Sequence, residues 1–496
     1  MKRLTIPLII FLLVSCTAPG TLQTATEIPS APVTPMLTAS DTPGPTARPT
    51  PKPLTVTVSG EQWGVSTCYI GANEGSSGFY IADFKDLGIN TYRIYGGMSR
   101  WEYQDDDGRY GWPSIADIKA DPNVISWGWW DNVMTNPPDG SDYHWSTSNG
   151  WKGNARTLFE ALKTNGIRPV VVLRPVDNGG EPVWSEPLNP PKTVADWNEW
   201  WEHVFATVYW LNVRNDYGVD DWEVHNEPDN YGQGWHGSLQ DYYGLVRQTH
   251  DAIDYVYRTY LPGRTYHLHS PSTVGHSGWP LDVLLDVGPL VDAVNIHNYD
   301  WDISGYIAQV HGWMQTANYP ALPLWMSEWG DYAGNAYKIP VIANDVLAAG
   351  LIRASRPGND YVYGSHIFSL YDWGTYRTGL ISEGKKLAGY YTVRMMVRGL
   401  QGCKPTYEMQ TGDPNLAAIA TKDANGTLSL MLSNTSDYDR LTTFDLSAHL
   451  AIGTGTLWVF NAEHMDEVVG HPALVNGLVT VIVPMHTSVL LQYALP

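Results

Sequence analysis

The chain has 496 residues, 43% of them hydrophobic, which is enough for one large packed domain with a smaller companion and too apolar for a disordered protein. A formal net charge of −21 excludes a general binder of nucleic acid or of anionic membrane surfaces, because either needs a basic face. The rings are skewed, with 22 Trp and 30 Tyr against 8 Phe, which fits aromatic cores and also a cleft that stacks flat, hydroxyl-rich ligands such as sugars.

In chain order, residues 1–16 read as an export signal: Lys2 and Arg3 supply the charged start, and the apolar run that follows is too short to span a bilayer. The run ends in Leu13-Val14-Ser15-Cys16, which resembles the lipobox of bacterial lipoproteins and makes Cys16 the expected lipid-attachment site on the cell surface or envelope. Residues 17–55, rich in Pro and Thr, cannot form a core and are expected to be an extended tether. With Cys16 lipidated, Cys68 and Cys403 remain; whether they pair is open at this point.

Over residues 56–400 short apolar runs alternate with longer segments of helical spacing. Strands are predicted at 63–69, 91–95, 169–173, 221–225, 266–269, 293–297, 324–327 and 363–370, with helices at 154–165, stopped by Gly166, and 194–217, stopped by Gly218. Eight such units predict an α/β (β/α)8 TIM barrel, enlarged by insertions at 97–150 and 177–192. Residues 401–496 switch to short strands at 417–421, 427–433, 441–446, 456–460, 478–483 and 488–493, which predicts a small β-sandwich-like domain with no catalytic cluster of its own.

Residues 221–230 read Asp-Trp-Glu-Val-His-Asn-Glu-Pro-Asp-Asn, and a buried strand that ends in carboxylates needs a use for them. In a barrel, groups just past the C-terminal ends of strands face the active-site mouth. Glu227 sits at such an end on the fourth barrel strand, and Glu328, in Leu324-Trp325-Met326-Ser327-Glu328-Trp329-Gly330, sits at another on the seventh. Two carboxylates across a barrel mouth are what glycoside hydrolysis requires, one to protonate the leaving oxygen and one to meet the developing positive charge.

The Asn226-Glu227-Pro228 turn, with Glu328, resembles clan A of the retaining glycoside hydrolases, and the barrel followed by a β domain is most similar to family thirty-nine, which includes xylosidases. The resemblance implies Glu227 as acid/base, Glu328 as nucleophile and Asn226 on the sugar 2-hydroxyl. It further implies Arg93, in Tyr92-Arg93-Ile94-Tyr95, beside the nucleophile, with His297 and Tyr299 as further polar contacts. The clan carries Trp on its eighth strand beneath the sugar; here Phe368 lies near that position and Trp373, which follows it, is the expected sugar contact. Arg93 and neighbouring donors are expected to keep Glu328 ionised, with Glu227 carrying the proton. The substrate is then a poly- or oligosaccharide, with no cofactor or metal required, while Trp101, Trp127, Trp129, Trp130, Trp184 and Trp235 read individually as packing.

Two other classes compete. His267 and His269 are two apart on one strand and point to one face, as a metal-dependent barrel hydrolase would need. A non-catalytic sugar-binding lipoprotein would need no opposed carboxylates, and the fold alone does not choose among these.

Overall fold

The computed structural model describes residues 50–75, 79–102, 108–135, 154–175, 189–232, 234–299, 303–358, 360–372, 378–449 and 453–495. Its strands alternate in a way that divides inside from outside. In β3 (Thr91–Tyr95) the residues Tyr92 and Ile94 face outward into the main apolar core, and Thr91, Arg93 and Tyr95 face inward. The same alternation runs through β2 (Tyr69–Asn73), β4 (Arg168–Leu173), β5 (Asp221–Val224), β7 (Ala293–Asn298) and β9 (Gly364–Ile367), and through the first residues of β6 (His267–Thr273) and β8 (Leu324–Trp329), each of which then shifts register. These eight strands pair in parallel in sequence order and close, with β9 against β2, into a barrel. Their outward residues, such as Ile70, Val171, Trp222, Leu268 and Ile296, join the helices in one core.

Barrel interiors are usually filled by branched apolar side chains. Here Tyr69, Val170, Ala293, Trp325 and Tyr363 form a small plug inside, and above it the lining is polar: Arg93, Glu223, His269, Asn295 and His366 are all buried. Helix Ala155–Thr164 starts at an Asn154/Thr157 capping box and ends before Gly166, whose φ of +65° suits glycine. Helix Val194–Val208 is capped by Thr193 and Asp196 and runs on as a π-helical turn, Tyr209–Arg214.

The predicted first barrel strand divides differently. Residues 63–65 belong to a long strand, β1 (Lys52–Val65), which pairs antiparallel with Pro405–Gln410 and parallel with Arg440–Asp445. The barrel therefore begins at Tyr69, and residues 52–65, expected as the end of the tether and the start of the barrel, are part of the β domain. Alternation marks Leu54-Thr55-Val56-Thr57-Val58 as a strand, but its partners lie at the other end of the chain and no local pattern names them. That domain is a nine-stranded mixed sheet, which also contains Leu416–Lys422, Thr427–Asn434, Thr456–Phe460, Met465–Gly470, Leu478–Val483 and Thr487–Ala494. Val56, Leu430, Phe444, Val481 and Leu491 come from strands across the sheet yet share one core, so the sheet wraps around it. The opposite face, through Ala417, Ile419, Met431 and Leu490, packs into the barrel's helical layer. Cys68, just before β2, is disulfide-bonded to Cys403, just before Pro405–Gln410. Among the described residues no helix is long and apolar enough to cross a membrane.

Trp325 in the plug is stacked between Tyr69 (5.3 Å, 16°) and His366 (5.4 Å, 17°), and Gly364 lies against its ring. A Cβ at Gly364 would sit 2.1 Å from the indole, which has nowhere to move. Gly364→Ala is therefore expected to destabilise by about 2–3 kcal/mol in urea unfolding. Gly128→Ala, in helix Trp127–Val133 where a Cβ meets nothing within 4 Å, should instead raise stability by up to about 1 kcal/mol.

Candidate active site

Two backbone irregularities bring the two glutamates to the mouth of the barrel. In β8, strict alternation from Leu324 and Met326, both outward, would point Glu328 outward too. A bulge prevents this: Ile296 pairs with Met326 but the next residue, His297, pairs with Glu328, so Ser327 is the extra residue and Glu328 turns inward. Trp329 then resumes the outward face. Past β5, His225 (φ +64°) and Glu227 (φ +48°) both adopt the left-handed conformation, which costs a non-glycine residue of order 1–3 kcal/mol. The turn is held by what surrounds it. Asn230 N–H donates to the Glu227 carbonyl (2.9 Å), and the side chain of Asp229 accepts from the backbone of Val274 and Gly275 and from the Ser277 hydroxyl. Gly234 closes against the Glu227 carbonyl so tightly that a Cβ would lie 1.7 Å from it.

Arg93, fully buried, donates to Glu328 Oε1 (2.5 Å), Asn226 Oδ1 (2.9 Å) and Asn73 Oδ1 (2.8 Å), and to both oxygens of Glu223 (2.9 and 2.5 Å). Tyr95 and Tyr299 also donate to Glu328, the latter at 2.6 Å. His297 Nδ1 lies 2.8 Å from Glu227 Oε1 and 3.4 Å from Glu328 Oε2, while its Nε2 meets the Ser272 hydroxyl at 2.9 Å. Asn230 Nδ2 donates to the other oxygen of Glu227 (2.9 Å).

Burial pushes the Glu328 carboxyl up, but the charges of His297 and Arg93 and the hydroxyls of Tyr299 and Tyr95 outweigh it and hold it at about 2. Burial lowers His297, but Glu328 and Glu227 more than compensate, and the imidazole is raised above its ordinary value. Burial pushes up the Tyr299 phenol, and the carboxylates beside it push the same way, so it stays a donor.

Of the residues expected from sequence, Arg93, Asn226, Glu227, His297, Tyr299 and Glu328 come together in this network. Trp373 and Cys16 lie outside the described residues. Phe368 stands edge-on to Tyr299 (6.0 Å, 85°). Of the tryptophans, Trp101, Trp130 and Trp235 are buried. The sequence reading passed over Tyr95, Glu223, Asn73 and Ser272, although Tyr95 is two residues from Arg93 and Glu223 is two from Asp221, each on the same strand face.

His267 and His269 do not form a mouth site. Both approach Asp221, at the start of β5 and so at the far end of the barrel, and Arg168 occupies both oxygens of that carboxylate. Glu227, His297 and Glu328 do offer ligand atoms within 4.8 Å of one another. In this structure His297 Nδ1 lies between the two carboxylates and its Nε2 meets the Ser272 hydroxyl, so both ring nitrogens have partners within the protein.

Because the folded value of Glu328, about 2, lies below the ordinary 4.5, the stability it contributes is present above pH 4.5 and lost as pH falls toward 2. Relative to Glu328→Gln, the wild type is expected to lose of order 3 kcal/mol of unfolding free energy across that window. Urea titrations of both proteins at several pH values measure the difference, and parallel pH profiles would contradict it.

No protein-family model matches the chain, and no curated protein matches it in sequence. Solved structures similar to it include a glucosidase from Croceicoccus marinus (12% identity, 89% of this chain and 99% of that one, TM-score 0.64). A GH30 endoxylanase from Clostridium papyrosolvens C71 matches with 14% identity over 89% of this chain and 100% of its own, at TM-score 0.58. A GH39 enzyme from Xanthomonas axonopodis pv. citri matches with 16% identity over 92% and 99%, at TM-score 0.59. At these identities the likeness is one of fold: the closed eight-stranded barrel with its accompanying β-sheet is an architecture this chain shares with glycoside hydrolases of families 30 and 39.

Proposed function

We propose that the protein is a retaining glycosidase that cleaves β-linked poly- or oligosaccharides by double displacement. The observation that carries this reading is the pair Glu227 and Glu328 at the mouth, with carboxylate oxygens within 4.8 Å of one another. Retaining enzymes hold their carboxyl groups about 5–5.5 Å apart, a spacing that requires nearest oxygens as close as these. The environment of Glu328 fits it to one of the two roles. Glu328, held ionised by Arg93, His297, Tyr95 and Tyr299, attacks the anomeric carbon as the bond to the leaving oxygen breaks. Glu227, hydrogen-bonded to His297 and Asn230, gives its proton to that oxygen. In the second step Glu227 takes a proton from water, whose oxygen displaces Glu328 from the sugar. Asn226 accepts from Arg93 through Oδ1, which leaves its Nδ2 to donate to a sugar hydroxyl. Tyr231 and Tyr332, 72% and 63% exposed on the loops after β5 and β8, give a hydroxyl-rich ligand aromatic surface to meet.

The names of the similar structures, a glucosidase and an endoxylanase among them, guide the choice of substrates. A panel of aryl β-xyloside, glucoside, galactoside and mannoside with soluble polysaccharides is expected to reveal turnover; binding without sugar release would favour a carrier protein instead. Glu227→Ala should lose about 10²–10⁴-fold on poor leaving groups, far less on activated aryl glycosides, and azide should restore its turnover with a product of retained configuration. Glu328→Ala should lose turnover on every substrate, with azide yielding the inverted product. Exchanged configurations would exchange the roles, and full activity in either variant would remove that residue from the mechanism.

The same proposal includes a lipid anchor at Cys16 that holds the enzyme at the bacterial cell envelope, supported by the Leu13-Val14-Ser15-Cys16 motif and the Pro/Thr-rich segment after it. Cys16→Ser is expected to move the protein from the membrane to the soluble fraction, and a variant that stays with membranes would count against lipidation.

A further inference from the structure

Arg93 serves Glu328 and Asn226 at once, and a guanidinium does this only when its plane is fixed. The group is flat, so holding one edge sets the direction of every other N–H. Glu223 holds that edge: its two oxygens accept from Nε (2.9 Å) and Nη2 (2.5 Å) in a fork, which leaves Nη1 to point at Glu328 Oε1 (2.5 Å) and Nη2 to reach Asn226 Oδ1 (2.9 Å). Glu223 is fully buried beneath the mouth, below the two carboxylates of the proposed mechanism.

It is anchored in turn. Asn295 Nδ2 donates to Glu223 Oε2 (2.7 Å), Asn295 Oδ1 pairs with His269 Nδ1 (3.1 Å), and His269 Nε2 meets Asp221 Oδ1 (3.0 Å). A hydrogen-bonded column thus runs from the far end of the barrel up to the carboxylate pair. We infer that Glu223 is a positioning residue, a third carboxylate whose paired oxygens aim Arg93 simultaneously at the nucleophile and at the residue that receives the sugar hydroxyl. This inference rests on the glycosidase reading for its catalytic meaning.

The plain alternative is a counter-ion that merely neutralises Arg93. The two differ in what they need: neutralisation needs a charge, whereas aim needs both oxygens at full reach. The groups facing Glu223 are Arg93 from β3, Ser272 from β6, Asn295 and His297 from β7, and Tyr242 from helix Leu239–Tyr260. Burial raises its carboxyl, and Arg93 more than offsets this, so it carries its charge in the folded protein.

Glu223→Asp keeps the charge and shortens the reach. It is expected to lower kcat/KM at least about tenfold with KM within about threefold. It should also shift the acid limb of the kcat/KM profile upward by about one pH unit, because Arg93 withdraws from Glu328. Glu223→Gln keeps the shape but sets an amide N–H against an Arg93 N–H, and should lose at least about 100-fold. A folded Glu223→Asp with an unmoved acid limb, or a Glu223→Gln of wild-type rate, would overturn the inference. If both fail to fold, Asn295→Ala keeps Glu223 and removes one of the two donors on its Oε2, along with the His269 contact below; a smaller shift of the same sign supports the inference and an unmoved limb overturns it. The Glu328 carboxyl resonance in 13C-glutamate-labelled protein reads the same shift without turnover. A wild type inactive on every glycoside would sink the glycosidase reading, and this titration would still decide how Arg93 is aimed.

Discussion

Five buried side chains, Glu223, Arg93, Glu328, His297 and Glu227, alternate acid with base in one hydrogen-bonded row, and this row is the interaction on which the barrel mouth depends. Each ion taken from water costs several kcal/mol unless a partner of opposite sign with good geometry meets it. In this row each interior member has an opposite partner on both sides. Removing an interior member takes away the partner that its two neighbours share, and leaves them only neutral donors and acceptors on that side. Two departures from regular barrel geometry, the β8 bulge and the pair of left-handed residues after β5, put members of this row in line.

The barrel was legible because its strands carry their inside and outside in the sequence. Tyr92 and Ile94 against Arg93 and Tyr95, or Trp222 and Val224 against Asp221 and Glu223, alternate cleanly, and seven of the predicted barrel strands fall on observed ones to within a few residues. Gly166, with left-handed backbone, follows the end of helix Ala155–Thr164 as expected, whereas the helix expected to run to Gly218 ends at Arg214. The site residues were legible for a different reason: polar groups at the ends of apolar strands have little cause to be there unless they are used.

What escaped was long-range. Parity along β8 puts Glu328 on the wrong face, and only the pairing with β7 reveals the extra residue that corrects it. Glu223 reads as one more acidic residue in an acidic stretch until Arg93, 130 positions away, is seen on its two oxygens. The first strand of the folded body was assigned to the barrel because it precedes the barrel. The histidine pair on β6 has the spacing of metal ligands, and its contacts with Asp221 depend on a neighbouring strand.

The seating of β1 has a mechanical consequence. The strand lies between Pro405–Gln410 and Arg440–Asp445, hydrogen-bonded along both edges. A force drawn along the chain from its N-terminal side therefore meets the β domain first. It loads those two ladders in shear, the direction in which many hydrogen bonds must break together. The barrel strands that bear the carboxylates lie beyond that clamp, and so does the Cys68–Cys403 link. Tension on the leading segment is thus grounded in the sheet before it reaches the angstrom-scale alignment of Arg93 with Glu328, as a ship's anchor cable is made fast to the deck and not to the rudder.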